Sequence, residues 1–361
     1  MTGILSRSET MGPRAAQALR ALTDLLGGPG IWLLIAAFVI WSVIATTQLF
    51  VVGIVVGSVL ALGAIGLTLI YGVLKFGNFA HGDLMMLGAY VAFFALSGRV
   101  VEKRRLDAEL PWSFDSLPGA TTKIGDLTFG YGLILATLVA AAVIALLVIG
   151  LDRVIYRPLR RRRSGIVIFA IASLGVAIAA RSLMLLIWGP DPRVYVSGIH
   201  KAKHYPFDIA LKTDQLFILA VAVALATLVY LLLFRTKLGK AMRAMSDNPD
   251  LALVSGINTE QVIIWTWAIG GVLVAVAGIL LALQAQLNPQ LGFVVLLPLF
   301  ASTILGGLGN PLGALFGAMV VGIAQEVSVE YFPPGYKPGV AFVILIVILL
   351  VRPRGLFGAK V

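Results

Sequence analysis

The chain contains no cysteine, which removes disulfide bonds, thiolate nucleophiles and cysteine-ligated metals. Histidine is nearly as scarce. His81, His200 and His204 are the complete set, and the last two fall together in a polar stretch, so neither a metal cluster nor a buried proton relay has enough members. No Walker A phosphate loop, zinc spacing, nucleophile elbow or dinucleotide fingerprint occurs, so the chain lacks the means to hydrolyse ATP and reads as a non-enzyme with no cofactor of its own. Charged residues are only 12% of the total.

What is present is apolar. Hydrophobic residues make up 59% of 361 positions and the mean hydropathy is +0.98, more apolar surface than a soluble fold can hide. At roughly 20 residues per membrane crossing, the expectation is an all-α polytopic membrane bundle of about eight to ten segments. Apolar runs lie at 31–47, 51–75, 79–97, 130–151, 166–188, 215–234, 261–284, 291–309, 312–330 and 339–351. Of these, 291–309 and 339–351 are short or glycine-rich and read as re-entrant or half-length. The first run lacks a small-residue cleavage site and is expected to stay as a span.

The formal charge of +11 is dispersed in short blocks between apolar runs, the pattern of cytoplasmic loops and not of a nucleic-acid surface. The strongest block, Arg153, Arg157, Arg160, Arg161, Arg162 and Arg163, orients the chain. Counting from it places residues 1–30, with Arg7, Arg14 and Arg20, and residues 353–361 as cytoplasmic tails. The membrane domain then covers 31–352, with 236–258 as an inner loop and 98–129 and 189–214 as outer loops of nearly balanced charge.

Polar residues inside or beside the apolar runs are the candidate functional groups, because lipid offers them no partners. Asn78, His81 and Asp83 interrupt the chain between two long runs. They either cap the helix beginning near residue 79 or border a translocation path at an unwound junction. Gln284 and Asn288 follow an apolar span on the outer side. Glu326 sits within a run, where a pathway role competes with snorkelling to the outer interface, and Arg181 is read as snorkelling. Gly306 to Pro311 forms a second glycine- and asparagine-rich junction, read with the Asn78 junction as a weak internal repeat on the cytoplasmic side.

The inner loop reads as two short helices broken at Asp247-Asn248-Pro249, with Gly256 as a stop. Met242, Met245, Leu251, Leu253 and Val254 are more apolar than a solvated linker needs and suit docking into a groove on a partner protein.

Taken in order, Gly57-Ser58, Tyr71-Gly72, Asn78-Phe79-Ala80-His81-Gly82, Gly88-Ala89-Tyr90, Tyr156-Arg157-Pro158-Leu159, Asn288-Pro289, Gly292-Phe293, Leu305-Gly306-Gly307-Leu308-Gly309 and Arg352-Pro353-Arg354-Gly355-Leu356-Phe357-Gly358 resemble the permease subunits of branched-chain amino acid ABC transporters, the H-type more than the M-type. The resemblance covers about residues 50–358. It implies a helical fold like that of type II importers and half of a heterodimeric inner-membrane channel. Its implied partners are an M-type permease, two ATP-using cytoplasmic subunits and a periplasmic binding protein. It makes Gly239, Arg243, Ala244, Asp247, Asn248, Ala252 and Gly256 a coupling element. Urea, short amides or other amino acids are alternative cargoes, and an ion-coupled transporter using Glu326 is the alternative mechanism. Arg181 stands where the family would lead one to expect an uncharged amide.

Overall fold

A computed structural model describes residues 30–99, 112–196, 202–206 and 209–358. The expected N-terminal tail, apart from Gly30, and much of the 98–129 loop lie outside these residues. A chain this apolar must satisfy its backbone internally, and it does so as helices. They are α1 Gly30–Ala45, α2 Thr47–Leu74, α3 His81–Ser97, α4 Tyr131–Leu151, α5 Arg157–Arg161, α6 Ile166–Trp188, α7 Thr213–Arg235, α8 Lys237–Asp247, α9 Pro249–Val254, α10 Thr259–Gln284, α11 Leu291–Gly306, α12 Pro311–Val327 and α13 Lys337–Val351. A π-helical turn, Asp152–Tyr156, joins α4 to α5, and a small antiparallel hairpin, β1 Lys203–Tyr205 with β2 Ile209–Leu211, precedes α7.

Among the described residues, seven helical stretches are long and apolar enough to cross a membrane, and α1, α3 and α11 are shorter apolar helices. The ten apolar runs of the sequence are thus all helical. Of the two runs expected to be short, 291–309 is so, as the 16-residue α11, while the C-terminal helix and its leading turn form a full-length stretch, Pro334–Val351. The other short helices, α1 and α3, have 16 and 17 residues.

Helices α2 and α10 form the enclosed centre, and α6, α7 and α13 turn most of their apolar surface outward. Lipid supplies no hydrophobic drive between helices, so close backbone approach must hold them. A Cβ on Gly278 would lie 1.9 Å from Met85 O, one on Gly322 would lie 2.4 Å from Gly57 Cα, and one on Gly317 would lie 2.2 Å from Ser302 O.

The arrangement contains an inverted repeat. A long helix, an irregular break and a short helix occur as α2, 75–80, α3, and again as α10, 285–290, α11. The breaks share the same two hydrogen bonds around an asparagine. Asn78 Oδ1 accepts from Ala80 N at 3.1 Å and Asn288 Oδ1 from Gln290 N at 3.0 Å. His81 N donates to Asn78 O at 3.2 Å, and Leu291 N to Asn288 O at 3.1 Å. Gly82 and Gly292 occupy equivalent places and press together: a Cβ on either would lie 2.2–2.3 Å from the other's carbonyl oxygen.

Helix α3 runs to the end where Trp188 Nε1 donates to Arg99 O, and α11 runs to the opposite end, where Leu356 N donates to Leu305 O beside the Gly309–Thr68 contact. The two short helices therefore diverge from a shared midpoint. His81 Nε2 meets Gly63 O, halfway along α2, which fixes that midpoint deep within the bundle. The repeat thus pairs the Asn78 junction with Asn288 and not with Gly306–Pro311. The junction also lies at mid-depth and not at one surface, because residues 75–80 run back inward after α2 ends at Leu74, with Lys75 as its cap in the left-handed region (φ 58°).

Gly82→Ala is expected to destabilise by about 1–3 kcal/mol, since the added methyl must displace backbone. The check is thermal unfolding of the detergent-purified protein. Gly175→Ala on α6, where a Cβ meets nothing within 4 Å, is expected to stay close to the parent.

Candidate functional site

The two breaks and the helix starts they feed form the centre of the site. At the first break, Asn78 makes an Asx-type turn onto Ala80 instead of capping a helical N–H, and α3 carries no side-chain cap. His81 is fully buried, with Nε2–H donated to Gly63 O at 2.8 Å, and its ring fits because Gly66 has no side chain in its way. Nδ1 has no partner.

Asp83 lies in the first turn of α3, where the two converging helix starts are positive and a carboxylate is favoured. It is fully buried and bidentate to Arg181, with Nε to Oδ1 and Nη2 to Oδ2 both at 3.0 Å. The Arg181 guanidinium also covers the Phe293 ring at 4.6 Å to the centroid. Arg181 therefore reaches sideways to the site and does not snorkel outward, which corrects the expectation. The pair joins α6 to both short helices.

Arg181 belongs to an outward-facing stripe, Ile171, Leu174, Ile178, Arg181 and Leu185, at alternating three- and four-residue spacing. Ile171 and Ile178 are 64% and 56% exposed, and Phe293 and Phe79 border the stripe with 59% and 38% exposure. Phe79 packs against Phe300 in a tilted pair, ring centroids 5.2 Å apart, and donates its N–H to Ser173 Oγ of α6 at 3.0 Å. This is an open, largely apolar face with one guanidinium at its centre.

Behind the first break, Phe76 is held by Tyr156, Phe169 and Trp267 at ring distances of 5.2, 5.2 and 6.5 Å. Tyr156 and Trp267 stack, and Trp267 Nε1 donates to buried Asp152 at 2.7 Å. Arg160 completes that network with bonds of 2.6 and 2.9 Å to the same carboxylate. The π-helical turn brings Asp152 and Tyr156 to bear on the break together, and π bulges often mark such adjustments.

Of the remaining sequence candidates, Asn288 belongs to the second break, and Gln284 and Glu326 lie outside both. Gln284 lines a cavity of about 200 Å³ with Thr128, Tyr195 and Asp214. Asn288 anchors the second break, where Leu287 pairs with Arg193 through backbone bonds of 2.8 and 2.9 Å. Glu326 joins neither break: Lys337 Nζ holds it at 2.7 Å and Gln325 Nε2 donates to Lys337 O. This local ion pair supplies the partner that a lone carboxylate would have lacked.

Residues 236–258 form the two short helices expected. Thr236 accepts from Gly239 N, Asn248 from Leu251 N, and Gly256 ends the unit at φ 82°. Met242, Met245 and Ala252 face inward, and Gly239 packs where a Cβ would lie 2.3 Å from two α7 carbonyls. Ala244 is half-buried, while Arg243 covers Phe234 at 4.9 Å and Asp247 is exposed. The free apolar groups are Leu251, Leu253 and Val254, the last 86% exposed. A cleft of about 430 Å³ separates this unit from the end of α2, lined by Lys75, Arg243, Asp247 and Asn310. Lys75 Nζ bridges it to Ser246 O.

Asp83→Asn is expected to lower stability by about 3 kcal/mol, the usual consequence of stranding one buried partner. Adding Arg181→Gln is expected to recover most of it, read as the coupling term of a double-mutant cycle from thermal unfolding.

A family model described as branched-chain amino acid transport system / permease component matches residues 49–349. The high-affinity branched-chain amino acid transport permease LivH of Escherichia coli K12 is 31% identical over 312 residues, covering 85% of this chain and 93% of its own. The BraD permease of Pseudomonas aeruginosa, described with the same transport role, is 31% identical over 318 residues, 86% and 95% of the two chains. A probable branched-chain amino acid permease LivH of Methanocaldococcus jannaschii is 28% identical over 84% of this chain and 90% of its own.

Proposed function

The chain belongs to the branched-chain amino acid transport permease family, and from that premise we propose that it forms one half of the membrane channel of an ATP-driven importer whose cargo is a branched-chain amino acid. The observation that carries this is Arg181 on the open α6 stripe. On a helix facing lipid, a central arginine costs about 2.5–3.5 kcal/mol or more, so this face calls for protein or water. A second permease closing over the stripe supplies both: apolar contacts from Ile171, Leu174, Ile178 and Leu185, and a polar path past Arg181, Asp83 and the two breaks.

In this reading the partner permease is of the M type, and the end rich in Arg157 to Arg163 faces the cytoplasm with both termini. Two ATP-binding subunits dock there and a periplasmic binding protein delivers the solute at the other end. The chain itself holds no nucleotide. Leu251, Leu253 and Val254 are the groups that enter a groove on the ATPase, while Arg243, Asp247 and the Lys75–Ser246 bridge pass its movement to the first break. Gly239, Ala252 and Gly256 keep the two helices in shape. A related cargo, such as another amino acid, a short amide or urea, fits the same architecture. Ion coupling through Glu326 loses its support to the Lys337 pair.

Leu251→Asp with Val254→Asp is expected to lower ATP-dependent leucine uptake by the reconstituted assembly at least tenfold, with the permease pair still assembled. Uptake that persists in the variant, or that follows a sodium or proton gradient in place of ATP, overturns the reading.

A further inference from the structure

Resting on the importer reading, the geometry around α6 names the group on the cargo that the path recognises. We propose that Arg181 is a specificity-determining contact for a carboxylate on the transported solute. The guanidinium has five N–H donors in a fixed fork. Two are spent on Asp83, and Nη1 makes no hydrogen bond to any described residue. The side chain is 24% exposed, on the open stripe.

Charge balance points the same way. Asp83 at the start of α3 already meets the positive ends of two helices, each worth about half an elementary charge. A full positive charge added beside it leaves the locus net positive. Neutralising Asp83 would have required less. The surplus suits an anionic group arriving from the open face and repels a bare cation.

The setting also suits the rest of an amino acid. Phe293 lies under the guanidinium, with Ile178 one helical turn along the stripe, so an aliphatic chain has an apolar surface beside the carboxylate anchor. Sharing Arg181 with Asp83 keeps the grip weak, which release from a path requires. Asp83 keeps spare lone pairs, but it is fully buried behind the guanidinium, so the ammonium group of a zwitterion arriving from the open face does not reach it. Recognition therefore falls on the carboxylate.

The test is saturation-transfer NMR on the purified permease pair with isocaproate and isocaproamide, which share an aliphatic chain and differ in the charged end. Transfer to isocaproate is expected to exceed that to isocaproamide several-fold in the parent. The preference is expected to vanish in the doubly neutral Asp83→Asn/Arg181→Gln variant, which strands no charge. Equal transfer to the two probes in the parent, or an unchanged preference in the double variant, overturns the proposal. If that variant does not fold, Arg181→Lys decides: it keeps the charge but loses the fork, and it is expected to reduce the preference at least threefold, whereas an unchanged preference overturns the assignment. Leucine uptake by the full assembly is measured in parallel. Uptake independent of ATP, with the carboxylate preference intact, removes the importer reading and leaves the Arg181 contact standing.

Discussion

Gly82 and Gly292 bring two helix starts into backbone contact in the middle of an apolar bundle, and much of the surrounding structure answers what that contact demands. Two helices can begin head to head only if each chain first returns inward without helical hydrogen bonds, which requires the breaks at 75–80 and 285–290. Those breaks need local partners for their backbone, and the paired Asx turns at Asn78 and Asn288 supply them. Facing helix starts are mutually repulsive because both are positive, and Asp83 sits where a negative charge relieves that repulsion. Arg181 adds a further charge at that point and ties α6 to it, through Asp83 and Phe293.

The general architecture was legible in the residues. Ten apolar runs became ten apolar helical segments, and the Asp247-Asn248-Pro249 break between α8 and α9 is where turn chemistry places it. The short helices were harder to read, because 79–97 is as long and apolar as a full span. Its half-height start is fixed by His81 reaching Gly63, a tertiary contact. The repeat was legible in principle: Asn-x-x-x-Gly occurs at Asn78 to Gly82 and at Asn288 to Gly292. The richer glycine content of Gly306 to Pro311 drew attention to the wrong junction.

Arg181 and Asp83 illustrate a second limit. Each reads singly as a charge within an apolar run, Arg181 as snorkelling and Asp83 as capping a helix or bordering a path. Two opposite charges buried in separate runs are costly apart and much less so together, so pairing them was available from chemistry alone. The Asp152, Arg160 and Trp267 network was not available in this way, since it depends on a π-helical turn that rotates Asp152 off the basic surface and into the core. Glu326 had its partner close by in sequence, at Lys337, but across a helix end that the apolar run obscured.

The two breaks are equivalent in local structure and unlike in what tethers them. The first is bound through Lys75 to Ser246 of α8, at the end carrying the arginine block. The second is bound through Leu287 to Arg193, in the loop at the far end. Each half of the repeat thus has its own rein, held from opposite ends of the bundle, and both reins draw on one glycine joint. Either end thus has a route of covalent and hydrogen bonds to the centre that is shorter than the full thickness of the molecule.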